Sequence, residues 1–173
     1  MTRDLDSIAD QVRPGRNFDS PPLQRWHPPL SGDIAIRINR EGQWIHEGDP
    51  IRRDSLVRLF ASILRREEDG EYYLVTPGEK WRIEVELHPL IVTDVDLGEG
   101  VVTLTLNTGK TLEVGARHPL FLEPVVGDIA AVTLWHGLAA LFSRAAWYRL
   151  IELAEERDGV TGVESNGVWY PLA

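Results

Sequence analysis

Leu56-Val57-Arg58-Leu59-Phe60 and, further along the chain, Leu138-Ala139-Ala140-Leu141-Phe142 share the pattern LxxLF. Both copies have apolar residues at the spacing of an amphipathic helix. Acidic residues and an Asp-Gly pair follow each copy, at 67–70 and 155–159, and aromatic, strand-like sequence comes next. LxxLF is common in helix cores, so chance is the alternative explanation. The repeat favours a chain of two related halves, and duplicated halves often place a ligand site at their junction.

The two copies predict the two principal helices. The first is expected over Ser55–Arg66, with Asp54 as its N-cap and one apolar stripe. The second is expected over Gly137–Glu156, and its first three turns are apolar on most sides. A helix of that kind is usually buried or contacts a partner.

Alternating apolar and polar residues around these helices predict about eight strands in antiparallel order. Strands and helices in this arrangement give an α+β protein rather than a βαβ fold. Three segments are expected: a proline-rich N-terminal arm at 1–30, a first α+β subdomain at 31–87 and a second at 88–173. Nine segments are the candidates for these strands, at about 34–38, 43–47, 72–75, 80–86, 90–96, 101–106, 111–114, 130–134 and 168–172.

Composition narrows the class of protein. The chain has 173 residues, 43% of them hydrophobic, and a net charge of −9. This charge disfavours nucleic acid and anionic membranes as partners, because both attract positive charge. The chain has no cysteine, which excludes disulfides and thiolate metal sites. No apolar run is long enough to cross a membrane and residues 1–20 do not resemble a signal peptide, so we expect a cytoplasmic protein.

Motifs for catalysis are absent from the sequence. There is no phosphate-binding GxxxxGK[ST] loop, no GxGxxG after a strand, no GxSxG elbow and no HExxH. Glu84 and Glu86 share a strand face, about 7 Å apart, and a histidine such as His46 or His118 can complete an acid–base set. A solvated strand face is the plainer interpretation. We therefore expect no catalytic residues, no metal site, no cofactor and no enzymatic activity.

The strongest candidate site lies around the segment 76–84. Lys80 and Arg82 point to the same side of one strand, about 7 Å apart, and two such cations can grip a phosphate or carboxylate. Trp44 and His46 share a face of another strand in the same half, where the indole can stack on a base or fill the core. The four residues form the predicted ligand site; an ordinary exposed basic pair with a core tryptophan is the alternative.

Eight runs of the sequence together resemble one known bacterial family. They are Trp26–Ile34, Ile36–Ile38, Gly42–Gly48, Leu56–Glu67, Tyr72–Pro77, Glu79–Ile83, His118–Leu120 and Gly137–Leu153. The family they resemble is called domain of unknown function 1285. The resemblance covers about residues 21–172 and implies a duplicated α+β architecture. It also implies that the second half superficially resembles a pleckstrin-homology domain, and that a small, nucleotide-like ligand binds between the halves in a signalling role. It supplies no catalytic residues.

Three functions follow from these observations. The first is a non-enzymatic protein that binds a small anionic ligand, nucleotide-like in character, through Lys80 and Arg82 with Trp44 and His46 nearby. The second is a protein-interaction module or homo-oligomer that uses the apolar helix at 137–156. The third is an enzyme. We expect the first.

Overall fold

A computed structural model of the chain describes residues 4–12 and 21–173. It divides the chain into two compact units, Met1–Leu87 and His88–Ala173. Each unit has a mixed six-stranded sheet and a principal helix, which confirms an α+β protein with two similar halves. In the predicted arm, Leu23 is fully buried and Leu30 is exposed. Pro14 and Gly15, expected to force turns there, lie outside the described residues.

The first half builds its sheet in the order β3-β2-β1-β6-β5-β4, with β1 parallel to β6 and every other neighbour antiparallel. Its inner face, marked by the fully or nearly fully buried Ile36 and Ile38, packs against the apolar side of α2. The elements are α1 (Leu5–Asp10), a 3-10 helix (Leu23–Arg25), β1 (Gly32–Ile38), β2 (Trp44–His46), β3 (Asp49–Pro50), α2 (Asp54–Ser62), β4 (Leu64–Arg66), β5 (Tyr72–Val75) and β6 (Lys80–Val85).

The second half has a six-stranded sheet in the order β10-β11-β12-β7-β8-β9 and a separate antiparallel sheet β13-β14-β15. In the larger sheet β7 is parallel to β12. The elements are β7 (Leu90–Gly98), β8 (Val101–Leu106), β9 (Thr111–Glu113), β10 (Leu120–Glu123), a 3-10 helix (Pro124–Val126), β11 (Ile129–Thr133), β12 (Ala139–Phe142), α3 (Arg144–Leu153), β13 (Glu155–Arg157), β14 (Val160–Ser165) and β15 (Val168–Pro171).

The two large sheets have the same strand order. When the six strands of each half are counted along the chain, both sheets run fourth, fifth, sixth, first, second, third. In both, the first and sixth strands form the parallel pair at the centre. The principal helix differs in place, since α2 follows the third strand of its half and α3 follows the sixth. The two halves therefore resemble each other in strand order and not in the position of the principal helix.

The predicted helix over Gly137–Glu156 is wrong at both ends. Leu138 is buried at the entry to strand β12, and α3 occupies only Arg144–Leu153. β12 lies between β11 and β7, and its consecutive residues Ala140, Leu141 and Phe142 are buried, so both of its faces are covered. A strand buried on both faces has a continuous apolar sequence, which periodicity alone does not separate from a buried helix. The second LxxLF is thus a strand, and it is not the structural counterpart of the first.

The first principal helix is shorter than predicted. α2 ends at Ser62, and Leu64–Arg66 pairs with β5 as strand β4. Asp54, expected as the N-cap, is the first helical residue, and Arg53 precedes it as the cap without a side-chain hydrogen bond. The apolar side chain of Leu64 fits either a helix or a strand, and its pairing opposite Leu74 decides the outcome.

In the part of the chain that the structure describes, no helix combines the length and apolar character needed to cross a membrane.

Candidate functional site

Lys80 and Arg82 lie on the outer face of the first sheet, the face opposite α2. The strand register places Arg82 beside Asp33 of β1 on one side and beside Tyr73 of β5 on the other. Glu84, two residues further along β6, lies opposite Arg37 on the same face. The alternation of β6 therefore presents its charged residues together, as the sequence predicts.

Trp44 and His46 lie on the inner face of the sheet. Trp44 pairs with Ile38 of β1, and Ile38 pairs in turn with Val85 of β6. Paired residues lie on the same face of a sheet, and Val85 points away from the face that presents Glu84. The Trp44 ring is 3% exposed and contacts Phe60 of α2, with 6.3 Å between ring centroids. The sheet separates this pair from Lys80 and Arg82, so the four predicted site residues do not converge on one face.

Two buried polar atoms on this inner face have no hydrogen-bond partner among the described residues. They are Nε1 of Trp44 and Nε2 of His46. A buried polar atom of this kind is commonly satisfied by a bound water molecule. Because Trp44 is buried against Phe60, its indole fills the core, as the alternative interpretation of this residue predicted.

Lys80 belongs to an ion-pair cluster centred on Glu67. Its Nζ lies 2.9 Å from Oε1 of Glu67, whose other oxygen lies 2.7 Å from Nη2 of Arg65. The same Nζ is 4.6 Å from the ring centroid of Tyr73. Burial acts to raise the pKa of Glu67, but hydrogen bonds from Lys80 and Arg65 and the charges of both residues outweigh it and hold the pKa below its ordinary value.

Arg82 is held more loosely than Lys80. Its Nη1 lies 3.5 Å from Oδ1 of Asp33, a carboxylate that is 72% exposed, and its own side chain is 38% exposed. Its Nε is buried without a hydrogen-bond partner among the described residues. A hydrogen bond with Tyr73 and the charge of Asp33 raise the pKa of the guanidinium further above its ordinary value. Arg82 therefore stays charged and keeps donor capacity.

Tyr73 connects the cations to a further acid. Its hydroxyl donates to Oδ2 of Asp69 over 2.5 Å, and only 3% of the residue is exposed. This bond lowers the pKa of Asp69 and raises that of Tyr73. The ring forms a base on which the Lys80 and Arg82 side chains lie.

A shallow, open depression of about 510 Å³ adjoins this cluster. Sequence reasoning missed it because Glu67, Glu68 and Asp69 resemble the polar end of a helix, whereas Glu67 follows strand β4 directly. The run of two basic and three acidic residues from Arg65 to Asp69 was the available signal. The depression is lined by His27, Arg65, Arg66, Glu67, Glu68 and Asp69.

The residues considered for other chemistry lie on different faces of the first sheet or in different units. Glu86 is bonded to Arg37 and accepts from the backbone N–H of Arg40. His46 lies in the first unit and His118 in the second. Within the described residues, no group of three or more histidine and carboxylate side chains is arranged to hold a metal ion.

Comparison with known families gives two adjoining matches. Residues 21–87 match the N-terminal domain of the domain of unknown function DUF1285, and residues 89–172 match the C-terminal domain of the protein of unknown function DUF1285. The chain belongs to the DUF1285 family. The two family domains cover nearly the whole length of the chain, which confirms the resemblance.

Solved DUF1285 structures share the fold. A DUF1285 protein from Silicibacter pomeroyi DSS-3 is 38% identical with a TM-score of 0.89, over 99% of this chain and 96% of that one. A DUF1285 protein from Shewanella baltica OS155 is 29% identical with a TM-score of 0.59, over 69% of this chain and 91% of that one. No curated protein matches the chain. The family thus establishes the architecture, and the activity has to be argued from the site.

Proposed function

We propose that this DUF1285 protein is a non-catalytic binding or sensor protein for a small anionic, nucleotide-like ligand, held on the outer face of the first sheet. The state of Arg82 carries the proposal. Its guanidinium is partly exposed, its one ion-pair partner among the described residues is the exposed Asp33 at 3.5 Å, and its buried Nε lacks a partner. A phosphate or carboxylate replaces Asp33 at little cost, because exposed ion pairs contribute only about 0–1 kcal/mol.

Lys80 supplies the second cation. It lies two residues from Arg82 on the same face, and both side chains contact the Tyr73 ring. A ligand that reaches Lys80 has to compete with the Glu67 carboxylate, which is 25% exposed. The open depression lined by His27 and by residues 65–69 includes this same carboxylate.

The proposal differs from the sequence prediction in two respects: it places the ligand on the first half alone rather than at the junction of the halves, and it leaves out two of the predicted residues. Trp44 and His46 are excluded from this site, since they lie on the inner face of the sheet. Tyr73 is almost fully buried, so it offers a ligand little direct contact. Recognition is therefore electrostatic, and binding should weaken as salt is added.

A thermal-shift screen tests the proposal. The purified protein is compared with a Lys80→Gln/Arg82→Gln variant against nucleotides, cyclic dinucleotides and phosphorylated metabolites. A ligand that binds only the native state raises the melting temperature in a dose-dependent way. We expect such a rise in the parent protein and its loss in the double variant.

The control is Arg58→Ala, which removes an exposed cation from α2 and leaves the outer face intact. It should keep the full ligand-induced rise. Equal rises in the parent protein and the double variant, or no rise across the panel, would contradict the proposal.

Self-association through the second helix, the alternative function, has less support. Leu141 and Phe142, on which it depended, are buried in β12. The exposed apolar side chains that remain on α3 are Tyr148 and Ile151. Ligand binding on the first sheet is therefore the better supported of the two functions.

A further inference from the structure

Two turns of the second half meet at one end of its large sheet. Residues 107–110 connect β8 to β9, and residues 134–138 connect β11 to β12. β7 is parallel to β12 and antiparallel to β8, so both turns lie at the end where β7 begins. In a chain with 27 acidic residues, neither turn has an Asp or a Glu.

Contacts join these turns around the Trp135 ring. Nζ of Lys110 lies 4.2 Å from its centroid. The His118 ring, on the segment before β10, lies edge-on with its centroid 5.9 Å away. The ammonium and the imidazole centroid are therefore at most about 10 Å apart, and a phosphate group that contacts both has to lie between them.

The orientation of His118 is fixed. Its Nδ1 lies 3.0 Å from the carbonyl oxygen of Thr133. Because a carbonyl oxygen only accepts, Nδ1 donates, and Nε2 is the nitrogen left to accept in the neutral ring or to donate in the charged one. None of the described residues forms a hydrogen bond with Nε2 of His118.

Backbone geometry holds Trp135 in place. His136 and Gly137 have φ of 53° and 74°, and the N–H of Leu138 donates to the Trp135 carbonyl over 3.0 Å. Two successive positive φ values characterise a tight type I′ hairpin turn, which matches the twist of its strands. Trp135 is consequently held at the first position of a tight turn between β11 and β12.

The turns at the opposite end of the same sheet contain acidic residues, Glu99 between β7 and β8 and Asp128 between β10 and β11. Arg144, which follows β12 at that end, is basic. The end with Lys110 and His118 also has Arg117 in the adjoining segment and His136 in its turn. Its turns therefore favour an anion more than the turns at the opposite end do.

We propose that Lys110, His118 and Trp135 form a second anion-binding site, on the second half, that takes a phosphate group. Lysine is a common phosphate ligand that acts as a point charge, and a charged imidazole adds a hydrogen-bond donor. Trp135 positions the ammonium through its ring face. This site is independent of the one at Lys80 and Arg82, and either can exist without the other.

Indole N–H signals of the full chain in ¹H–¹⁵N NMR test the site. The probe is inorganic phosphate, titrated at constant ionic strength against chloride, and Trp135→Phe assigns the Trp135 signal. We expect a saturable shift of this signal. Lys110→Gln and His118→Gln should each weaken the apparent affinity about tenfold, which corresponds to the loss of one charged contact.

The matched control is Lys80→Gln, which removes the other lysine of the chain. It should leave the Trp135 titration unchanged, and amide dispersion shows whether each variant is folded. A Trp135 signal that does not saturate, or that titrates equally in a folded Lys110→Gln variant, would overturn the proposal.

A second arm identifies the source of the phosphate group. Vesicles of phosphatidylcholine with and without phosphatidic acid are sedimented with the protein. We expect no sedimentation, which together with a positive phosphate titration assigns a soluble ligand. Sedimentation that needs phosphatidic acid and is lost in Lys110→Gln assigns the same site to a lipid headgroup. Sedimentation that persists in Lys110→Gln contradicts a role of this site on membranes.

Discussion

At the scale of single residues, Glu67 organises the charges of the first half. One oxygen binds Lys80 and the other binds Arg65, and the same arginine donates to the carbonyls of Leu23 and Trp26 over 3.1 and 2.9 Å. The carboxylate thereby links β4, β6 and the N-terminal segment. No sequence pattern revealed this role, because Lys80 and the Leu23 and Trp26 carbonyls are distant from Glu67 along the chain.

Glu67→Gln should reduce stability by about 2 kcal/mol at neutral pH, the size expected for hydrogen bonds to charged groups. The native pKa of Glu67 lies below its ordinary value of 4.5. Its contribution is therefore complete above about pH 4.5 and is lost as pH falls through the lower native pKa. Urea unfolding of both proteins at several pH values measures this. A stability difference that does not shrink in acid would contradict the assignment.

Ser165 is a buried polar residue that joins two parts of the second half. Its hydroxyl donates to the Val114 carbonyl over 2.6 Å and accepts from the N–H of Val102 over 2.8 Å, and the residue is fully buried. Ser165→Ala leaves both backbone groups without this partner, so we expect a loss of about 1–3 kcal/mol in urea unfolding. Ser55→Ala, at an exposed position on α2, should change stability by less than about 0.5 kcal/mol. Equal effects of the two variants would contradict the role of Ser165.

At the scale of elements, α3 begins where a capping residue stands. Ser143 accepts from the N–H of Ala146 over 3.1 Å, and Leu141 and Phe142 before it are strand residues. The apolar periodicity through Trp147 hid this boundary. A closer reading of Ser143 as an N-cap could have placed it, since serine is among the preferred N-cap residues.

Ser143→Ala should cost about 1 kcal/mol, and Ser143→Asp should retain most of the stability, because aspartate also caps and its charge suits a helix N-terminus. Thermal unfolding followed by circular dichroism measures both. If a helix began at Gly137, as predicted from the sequence, Ser143 would be an interior position and aspartate would be no better there than alanine.

At the scale of the whole molecule, the sequence predicted the α+β class, two halves and the charged face of β6. It did not predict which elements of the two halves correspond to each other. The repeat of LxxLF pointed to matching helices, whereas the matching features are six strands in one order with a parallel central pair. Parallel pairing of the first and sixth strands is a long-range contact that local periodicity does not encode. The prediction that Trp44 and His46 share a site with Lys80 was wrong for the same reason, because the face of the sheet on which each residue lies depends on which strands are neighbours.

Residues 88–173 expressed alone should fold. Both sheets of the second half have all their strand pairs within it, and its apolar residues form a core of their own. We expect dispersed amide signals and cooperative thermal unfolding from this fragment. Collapsed dispersion would show that the second half requires the first in order to fold.

The most direct test of the proposed function follows the Nε–H signal of Arg82 by ¹H–¹⁵N NMR during titration with a nucleoside monophosphate at constant ionic strength. Anion binding at the outer face predicts a saturable shift of this signal, while the corresponding signal of Arg58 stays in place. An Arg82 signal that remains unchanged, or that moves in parallel with Arg58, would contradict the account.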